Sequence, residues 1–322
     1  MPPPPDASPV TGLHHVTVIA GPAQRHVDFY AGTLGFRLVK QTVNFDAPSV
    51  YHLYYADDAA RPGSVLTFFP FPDAGPGRGA AGEAVEVAYA VPAGAHAFWM
   101  ERLAAAGYDD WDAPVERFGQ AVLRLRDPDG TPLAFVEEPA VTGGWAEGPV
   151  PPEAAAGPFH SVTLALIDPE PTLRLLTEAM GYSEGGQEGD RIRLVNARAD
   201  RAALVDLVAA PAAPGRSGAG TVHHVAFRVP DDASEGDLRE TLLSRGFRPT
   251  PVIDRQYFHS VYFREPGGVL FEIATDLPGF ATDEPADALG RALMLPPQYE
   301  PQRARIAAGL PPLEIPTGSD ER

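Results

Sequence analysis

This 322-residue chain predicts an α+β fold of four βαβββ modules forming two barrel-like halves. Three observations predict it. The first is a set of four alternating strands, "LHHVTVIA" (13–20), "VEVAYAVP" (85–92), "FHSVTLAL" (159–166) and "VHHVAFRV" (222–229). Successive strand residues face opposite sides, so period-2 alternation marks strands with distinct faces. The second is a helical apolar stripe after each of these strands, at 23–36, 96–108, 169–182 and 233–247. Each stripe ends on a glycine followed by an aromatic, and glycine readily takes the left-handed conformation that closes a helix. The third is a set of closing strands, within 61–69, 127–137, 201–208 and 265–274, three of them entered through a glycine turn. Recurrence of one layout along the chain is the signature of a repeat architecture.

The repeats divide the chain into a first half, 1–140, and a second half, 158–284, with two modules each. Between them, residues 139–158 read "PAVTGGWAEGPVPPEAAAGP". Proline, glycine and alanine dominate that stretch, which makes 141–157 a linker. Residues 285–322 form a C-terminal extension, and its last stretch, "PTGSDER", is expected to fray.

Composition narrows the function classes. Hydrophobic residues make up 44% of the chain, enough for a sizeable core. The net charge is −18 and Lys40 is the only lysine, which argues against nucleic-acid and anionic-membrane partners. The chain has no cysteine, so any metal must be held by His, Asp or Glu. The start, "MPPPPDASPV", lacks the basic and apolar regions of a signal peptide. No apolar run approaches the roughly 20 residues that span a bilayer, and a cytoplasmic protein is the expectation. "GPGRGAAG" (75–82) lacks the Gly-Lys-Ser/Thr of a phosphate loop, and no Gly-x-Ser-x-Gly elbow occurs.

The first and last modules begin with paired histidines. In a regular strand only one of each pair faces a given side. His223 shares its side with Val225, Phe227 and Val229, the side expected to pack under the helix. His224 lies with Ala226, a small neighbour that leaves room for a ligand. His15 has the same phase beside Thr17, while His14 lies with Val16 and Val18. His15 and His224 are therefore the expected ligands, with His14 and His223 as supports.

A third group follows from the closing strands. Glu272 stands four residues after the turn glycine Gly268, between Phe271 and Ile273. A buried carboxylate there needs a partner. The matching place holds Thr67 in module one, Ala134 in module two and Asp206 in module three. The first-strand ligand place holds Glu86 in module two and Ser161 in module three. Modules one and four thus offer His15, His224 and Glu272, while Glu86 and Asp206 offer a weaker second site. Two histidines and one carboxylate with open positions form the pattern of Fe(II) oxygenases, and Mn(II) accepts the same set. A lone strand histidine is more often a hydrogen-bonded core residue. The coincidence of three residues at matching repeat positions is what favours a metal. His26, His52, His96, His160 and His259 show no such concordance, which assigns them to surface or core, although His52 sits within a strand that can line a pocket.

The repeat resembles the vicinal oxygen chelate superfamily, which includes glyoxalase I, epimerases and extradiol dioxygenases. Within it, the chain is similar to ring-cleaving dioxygenases that act on hydroquinones, including the 2,6-dichlorohydroquinone 1,2-dioxygenase type. The likeness runs from "LHHVTV" through "DFYAGTLGFRLVKQTVNFD", "YHLYYAD", "PGSVLTFFP", "RFGQ" and "VHHVAF" to "DRQYFHSVYFREPGGVLFE", over residues 12–300. It implies Fe(II) held by His15, His224 and Glu272, and pocket residues at His14, His223, Thr17, Arg255 and Tyr262. His14, His223, Arg255 and Tyr262 take catalytic roles in that reading. Thr17, His223, Arg255 and Tyr262 bind substrate. The implied reaction is ring opening of a 1,4-dihydroxybenzene with O2, the partners being a small aromatic and O2, with homo-oligomerisation left open.

Other readings compete. A glyoxalase-type lyase or isomerase usually has four protein ligands, but Thr67 and Ala134 occupy the fourth places. Catechol-cleaving extradiol enzymes typically draw their ligands from the second half, where Ser161 breaks the pattern. A non-catalytic binder would not need the intact trio.

Overall fold

The computed structural model describes residues 8–213 and 215–316, so "TGSDER" at the end of the expected frayed stretch lies outside the described residues, as does 1–7. Each module is one helix and four strands. Module one holds β1 (Leu13–Ala20), α1 (Ala23–Val27), β2 (Arg37–Asn44), β3 (Ala47–Ala56) and β4 (Val65–Pro70). Module two holds β5 (Glu83–Pro92), α2 (His96–Ala105), β6 (Val115–Arg117), β7 (Gln120–Arg126) and β8 (Pro132–Glu138). Module three holds β9 (Phe159–Leu166), α3 (Glu170–Glu178), β10 (Ser183–Glu188), β11 (Arg191–Val195) and β12 (Leu204–Ala209). Module four holds β13 (Thr221–Val229), α4 (Asp232–Ser244), β14 (Ile253–Asp254), β15 (Phe258–Arg264) and β16 (Leu270–Pro278). The first helical stripe is regular only to Val27, and Asp28–Thr33 continue it as a wider π-helical segment.

The sixteen strands form two curled eight-stranded sheets. One has the order β14-β15-β16-β13-β1-β4-β3-β2, and the other β10-β11-β12-β9-β5-β8-β7-β6. Each sheet therefore joins a module from one sequence half to a module from the other: one pairs with four, and two with three. The seams are antiparallel, β1 against β13 and β5 against β9. The boundary between the sequence halves runs through both sheets.

The alternation of apolar residues places the core. Val225, Phe227 and Val229 of β13 enter one large apolar cluster, as do Tyr51, Leu53 and Tyr55 of β3. All four module helices join it, through Val27, Trp99, Leu176 and Leu242 among others. A smaller cluster, with Tyr54, Ala226 and Phe258, lies on the opposite face of the first sheet. No helix among the described residues is long and apolar enough to cross a membrane.

The C-terminal extension closes against this sheet. It contains a short helix, α5 (Arg303–Gly309), and buries Leu289, Leu295, Ile306 and Leu310. Gln41 Nε2 donates to Gly290 O, and Tyr299 OH donates to Phe45 O at the β2–β3 hairpin. Gly290 has φ +76° and lies so near the Leu38 carbonyl that a β-carbon would collide with it. Lys40 is fully buried; its ammonium donates to Asp283 Oδ1 at 2.6 Å and to Glu284.

Removing one member of a buried ion pair strands the other charge. Lys40→Ala should therefore cost about 3 kcal/mol of stability, on the usual scale for breaking such pairs. Urea denaturation checks this: the midpoint should fall while the dependence on denaturant stays the same.

Candidate metal centre

The seam between β1 and β13 carries one extra residue on each strand. Leu13 pairs with Phe227 and His15 with Ala226, so His14 is extra; Thr17 pairs with His224 and Val18 with Val222, so His223 is extra. A β-bulge interrupts alternation and re-aims the side chains beside it. The strict phase expected for the histidine pairs is corrected here. Within each pair the Nδ1 atoms approach to 2.9 Å (His14–His15) and 2.8 Å (His223–His224). His223 consequently lines a cavity with His224 and is exposed, not packed under α4. His14 is buried, with its ring against His15 and Phe258.

His15, His224 and Glu272 converge. His15 Nε2 is 3.2 Å from His224 Nε2 and 3.2 Å from Glu272 Oε2, and His224 Nε2 is 2.8 Å from Glu272 Oε2. Two ligands held at right angles about 2.1 Å from one ion would stand about 3.0 Å apart. Glu272 is fully buried, its Oε2 lacks a hydrogen bond of good geometry, and Ser260 Oγ donates to the other oxygen. Burial alone would raise the Glu272 carboxyl, but His15 and His224 hold it well below the usual carboxylate range. Burial lowers His224 despite the neighbouring Glu272. A carboxylate and neutral imidazole are the ligand forms a metal requires. Among the described residues this is the one His/Asp/Glu cluster with ligand atoms close enough to hold an ion.

The remaining expected site residues surround the trio. Tyr262 pairs across the sheet with Glu272 and stacks edge-on to His224, ring centroids 5.7 Å apart. Its hydroxyl accepts from Arg255 Nε at 3.2 Å. Arg255 also lies over the Tyr262 and Phe45 rings, and its Nη1 is 3.8 Å from Asp46. Thr17 Oγ1 lies 2.8 Å from His224 Nε2. A cavity of about 370 Å³ opens on this group, walled by Phe45, Phe69, Phe71 and Phe258, with His52, Tyr54, Asn44 and Asp46 among its polar residues. That volume suits a small ligand, and aromatic walls set beside convergent polar groups are what ligand pockets offer.

His52 was not singled out by the repeats, yet it lines the cavity. Its Nε2 is 2.9 Å from Thr67 Oγ1 and its Nδ1 is 2.9 Å from Tyr54 OH. The alternation of "YHLYYA" holds a signal for it: with Tyr51, Leu53 and Tyr55 in the main core, His52 and Tyr54 face the other way. Ser260, the donor to Glu272, carries no comparable signal.

The second sheet repeats the frame without the metal ligands. Its seam has extra residues at Val85 and His160, beside Glu86 and Ser161. Arginines already neutralise the two carboxylates considered for a second site. Arg193 grips fully buried Asp206 with Nε at 2.8 Å and Nη2 at 2.9 Å. Arg117 forks onto Glu86, and Thr163 donates to Glu86 Oε1 at 3.2 Å. The weaker second site is thus corrected to an ion-pair cluster.

Calorimetric titration of the chain with Mn(II) should saturate at one equivalent. His224→Ala and Glu272→Ala should abolish that binding. Ser260→Ala removes the donor that orients Glu272, and should weaken binding by roughly 10–100-fold, the usual effect of losing such a support.

Comparison with known proteins places this geometry in a lineage. Residues 12–135 and 159–273 match the model of the Glyoxalase/Bleomycin resistance protein/Dioxygenase superfamily. The chain is 45% identical to a Bacillus subtilis (strain 168) protein named as ring-cleaving dioxygenase MhqO, over 96% of this chain and 98% of that one. It is 36% identical to the chlorohydroquinone/hydroquinone 1,2-dioxygenase of Sphingobium indicum, over 90% of this chain and 93% of that one. A crystal structure from B. subtilis, described as a dioxygenase, superposes with a TM-score of 0.92 at 44% identity, covering 96% of this chain and 99% of the other. Glyoxalase I from Zea mays shares the fold, with a TM-score of 0.62 at 14% identity over 82% of this chain and 92% of its own. The chain belongs to the Glyoxalase/Bleomycin resistance protein/Dioxygenase superfamily.

Proposed function

We propose that this protein is an Fe(II)-dependent dioxygenase that opens the ring of hydroquinone-type aromatics with O2. One observation carries the reading: a buried trio of His15, His224 and Glu272 opens onto an aromatic-walled cavity of about 370 Å³. The names of its relatives, ring-cleaving and hydroquinone 1,2-dioxygenases, support the same reaction class.

Two histidines and one carboxylate would hold the iron and leave coordination positions open, as in non-haem oxygenases. Bound there, Fe(II) would supply Lewis-acid charge to a ring hydroxyl and electrons to O2. The protein's own groups have tasks that need no further assumption about the metal. Phe45, Phe69 and Phe258 would sandwich a benzene ring and exclude water. Arg255, held by Tyr262 and beside two aromatic faces, would place positive charge near an ionised hydroxyl. Tyr262, over His224, would hydrogen-bond a ring oxygen. His223 faces the cavity and is the pocket group placed to take or return the ring's proton. His14 lies behind His15 and would act as its support, with Nδ1 facing Nδ1.

Thr67 bears on the choice between reaction classes. At the fourth-ligand place its hydroxyl is engaged with Thr17 at 2.9 Å and with His52. A three-residue ligand set suits a reaction in which substrate and O2 both need places.

Oxygen uptake by anaerobically purified, Fe(II)-loaded protein tests the reading. Hydroquinone, methyl- and chlorohydroquinones should be consumed, and His224→Ala should abolish uptake. Uptake with catechol alone would move the assignment to a catechol extradiol enzyme. Bound metal with no uptake on any ring would overturn the dioxygenase reading in favour of glyoxalase-type chemistry. Arg255→Met should lower kcat/KM by roughly 10–100-fold, as expected for loss of one charge-assisted contact.

A further inference from the structure

A line of side chains crosses three strands to reach the metal trio. Tyr54 OH lies 2.9 Å from His52 Nδ1. His52 Nε2 lies 2.9 Å from Thr67 Oγ1, Thr67 Oγ1 lies 2.9 Å from Thr17 Oγ1, and Thr17 Oγ1 lies 2.8 Å from His224 Nε2. Tyr54, Thr17 and Thr67 are buried.

The direction of such a chain is set at its far end. A phenol has one proton to donate, and a neutral imidazole has one N–H and one lone pair. Among the described residues His52 Nδ1 is the one hydrogen-bond partner of the Tyr54 hydroxyl, whose ring is packed edge-on to Phe280 and Tyr257. A buried hydroxyl left without an acceptor would be costly. Tyr54 must then donate to Nδ1, which leaves the His52 proton on Nε2. His52 donates to Thr67, and Thr67 donates to Thr17. The Thr17 proton is left pointing at the trio. Once a metal takes the His224 Nε2 lone pair, that proton is available to whatever occupies the open side of the site.

We propose that Tyr54 and His52 are positioning residues that lock this chain in one direction, so that Thr17 presents a hydrogen-bond donor to the ionised hydroxyl of the ring substrate. The assignment rests on the phenolic-substrate reading above. It requires no net proton transfer. Passing a proton down the line would leave a phenolate at buried Tyr54, where desolvation favours the neutral form. The chain orients and stabilises; it does not act as an acid. It also gives the non-ligand at the fourth-ligand place a task, because Thr67 is the link between His52 and Thr17.

Two measurements on the full chain test this. The first is ¹⁵N NMR of histidine-labelled protein, with and without Zn(II) as a diamagnetic ion. His52 should carry its proton on Nε2, and Tyr54→Phe should lose that preference. A proton on Nδ1 in the parent would mean that Tyr54 accepts and the chain runs the other way, which overturns the proposal. The second uses 4-nitrophenol, whose phenolate is yellow, bound to the Zn(II)-loaded protein. The pH at half ionisation of the bound ligand should rise by about one unit in Thr17→Val, a tenfold change, from loss of one donor to a charged oxygen. Thr17→Ser, which keeps the hydroxyl, should restore it. An unchanged midpoint in Thr17→Val would overturn the donor role. The two readings fail separately: absent oxygen uptake by the parent would sink the reaction and leave the tautomer standing, while a reversed tautomer would sink the chain and leave the reaction standing.

Discussion

Strands β1 and β13 meet antiparallel, with one extra residue in each, and the whole metal centre depends on that seam. Without it His15 and His224 would be separated by the length of the chain between modules one and four. Without the bulges, each histidine pair would send one ring to the core and one to the cavity. With them, each ligand stands against a neighbouring imidazole, His14 buried behind His15 and His223 beside His224 in the cavity wall, with Nδ1 facing Nδ1. The parallel pairing of β13 with β16 then sets Glu272 beside Ala226, within reach of both rings. Ala226 has no bulk to block that approach, and Ser260 fixes the carboxylate from the next strand.

The two sheets solve one electrostatic problem in two ways. Both carry carboxylates at the same place on a closing strand or on the neighbouring first strand, and both bury them. A buried carboxylate needs a cation nearby, because burial without compensation costs several kcal/mol. In the second sheet guanidinium groups of Arg117, Arg191 and Arg193 supply the charge. In the first sheet two imidazoles stand where those arginines would be needed, and the remaining lone pairs face one point. The same frame is a structural ion-pair cluster on one side and a ligand set on the other.

The extension after residue 285 belongs to the site as well as to the fold. It lies along β2 and β3, the edge of the metal-bearing sheet, and buries four leucine or isoleucine side chains. Tyr299 grips the carbonyl of Phe45, a cavity wall, and Tyr51 OH donates to Pro311 O from the other side of the hairpin. Lys40 ties the strand beneath to Asp283 and Glu284. The hairpin at 44–47 therefore takes its place from contacts made some 250 residues later in the chain, a sequence separation that the hydrogen bond from Tyr299 measures as 254.

Much was legible before any tertiary contact was known. Period-2 strands, helical stripes and their glycine stops follow from backbone geometry and burial, so four modules could be counted. The ligands could be named because internal repeats supply their own alignment: His15 matches His224, and Glu272 stands where modules one and two carry the non-ligands Thr67 and Ala134. Three features needed the folded molecule. Repeat counting cannot say that module one pairs with module four, since strand pairing is a long-range choice that local pattern does not encode. Alternation cannot foresee a bulge, which is why His223 was expected under the helix and is found in the cavity. Pattern also cannot report which buried groups meet, so Ser260 and the contacts of His52 and Tyr54 emerge only from distances, and Glu86 and Asp206 lose their candidacy only when arginines are seen beside them. Residue types and their repeat positions determined which atoms are able to bind a metal; the pairing of distant strands decided which of them face the same point in space.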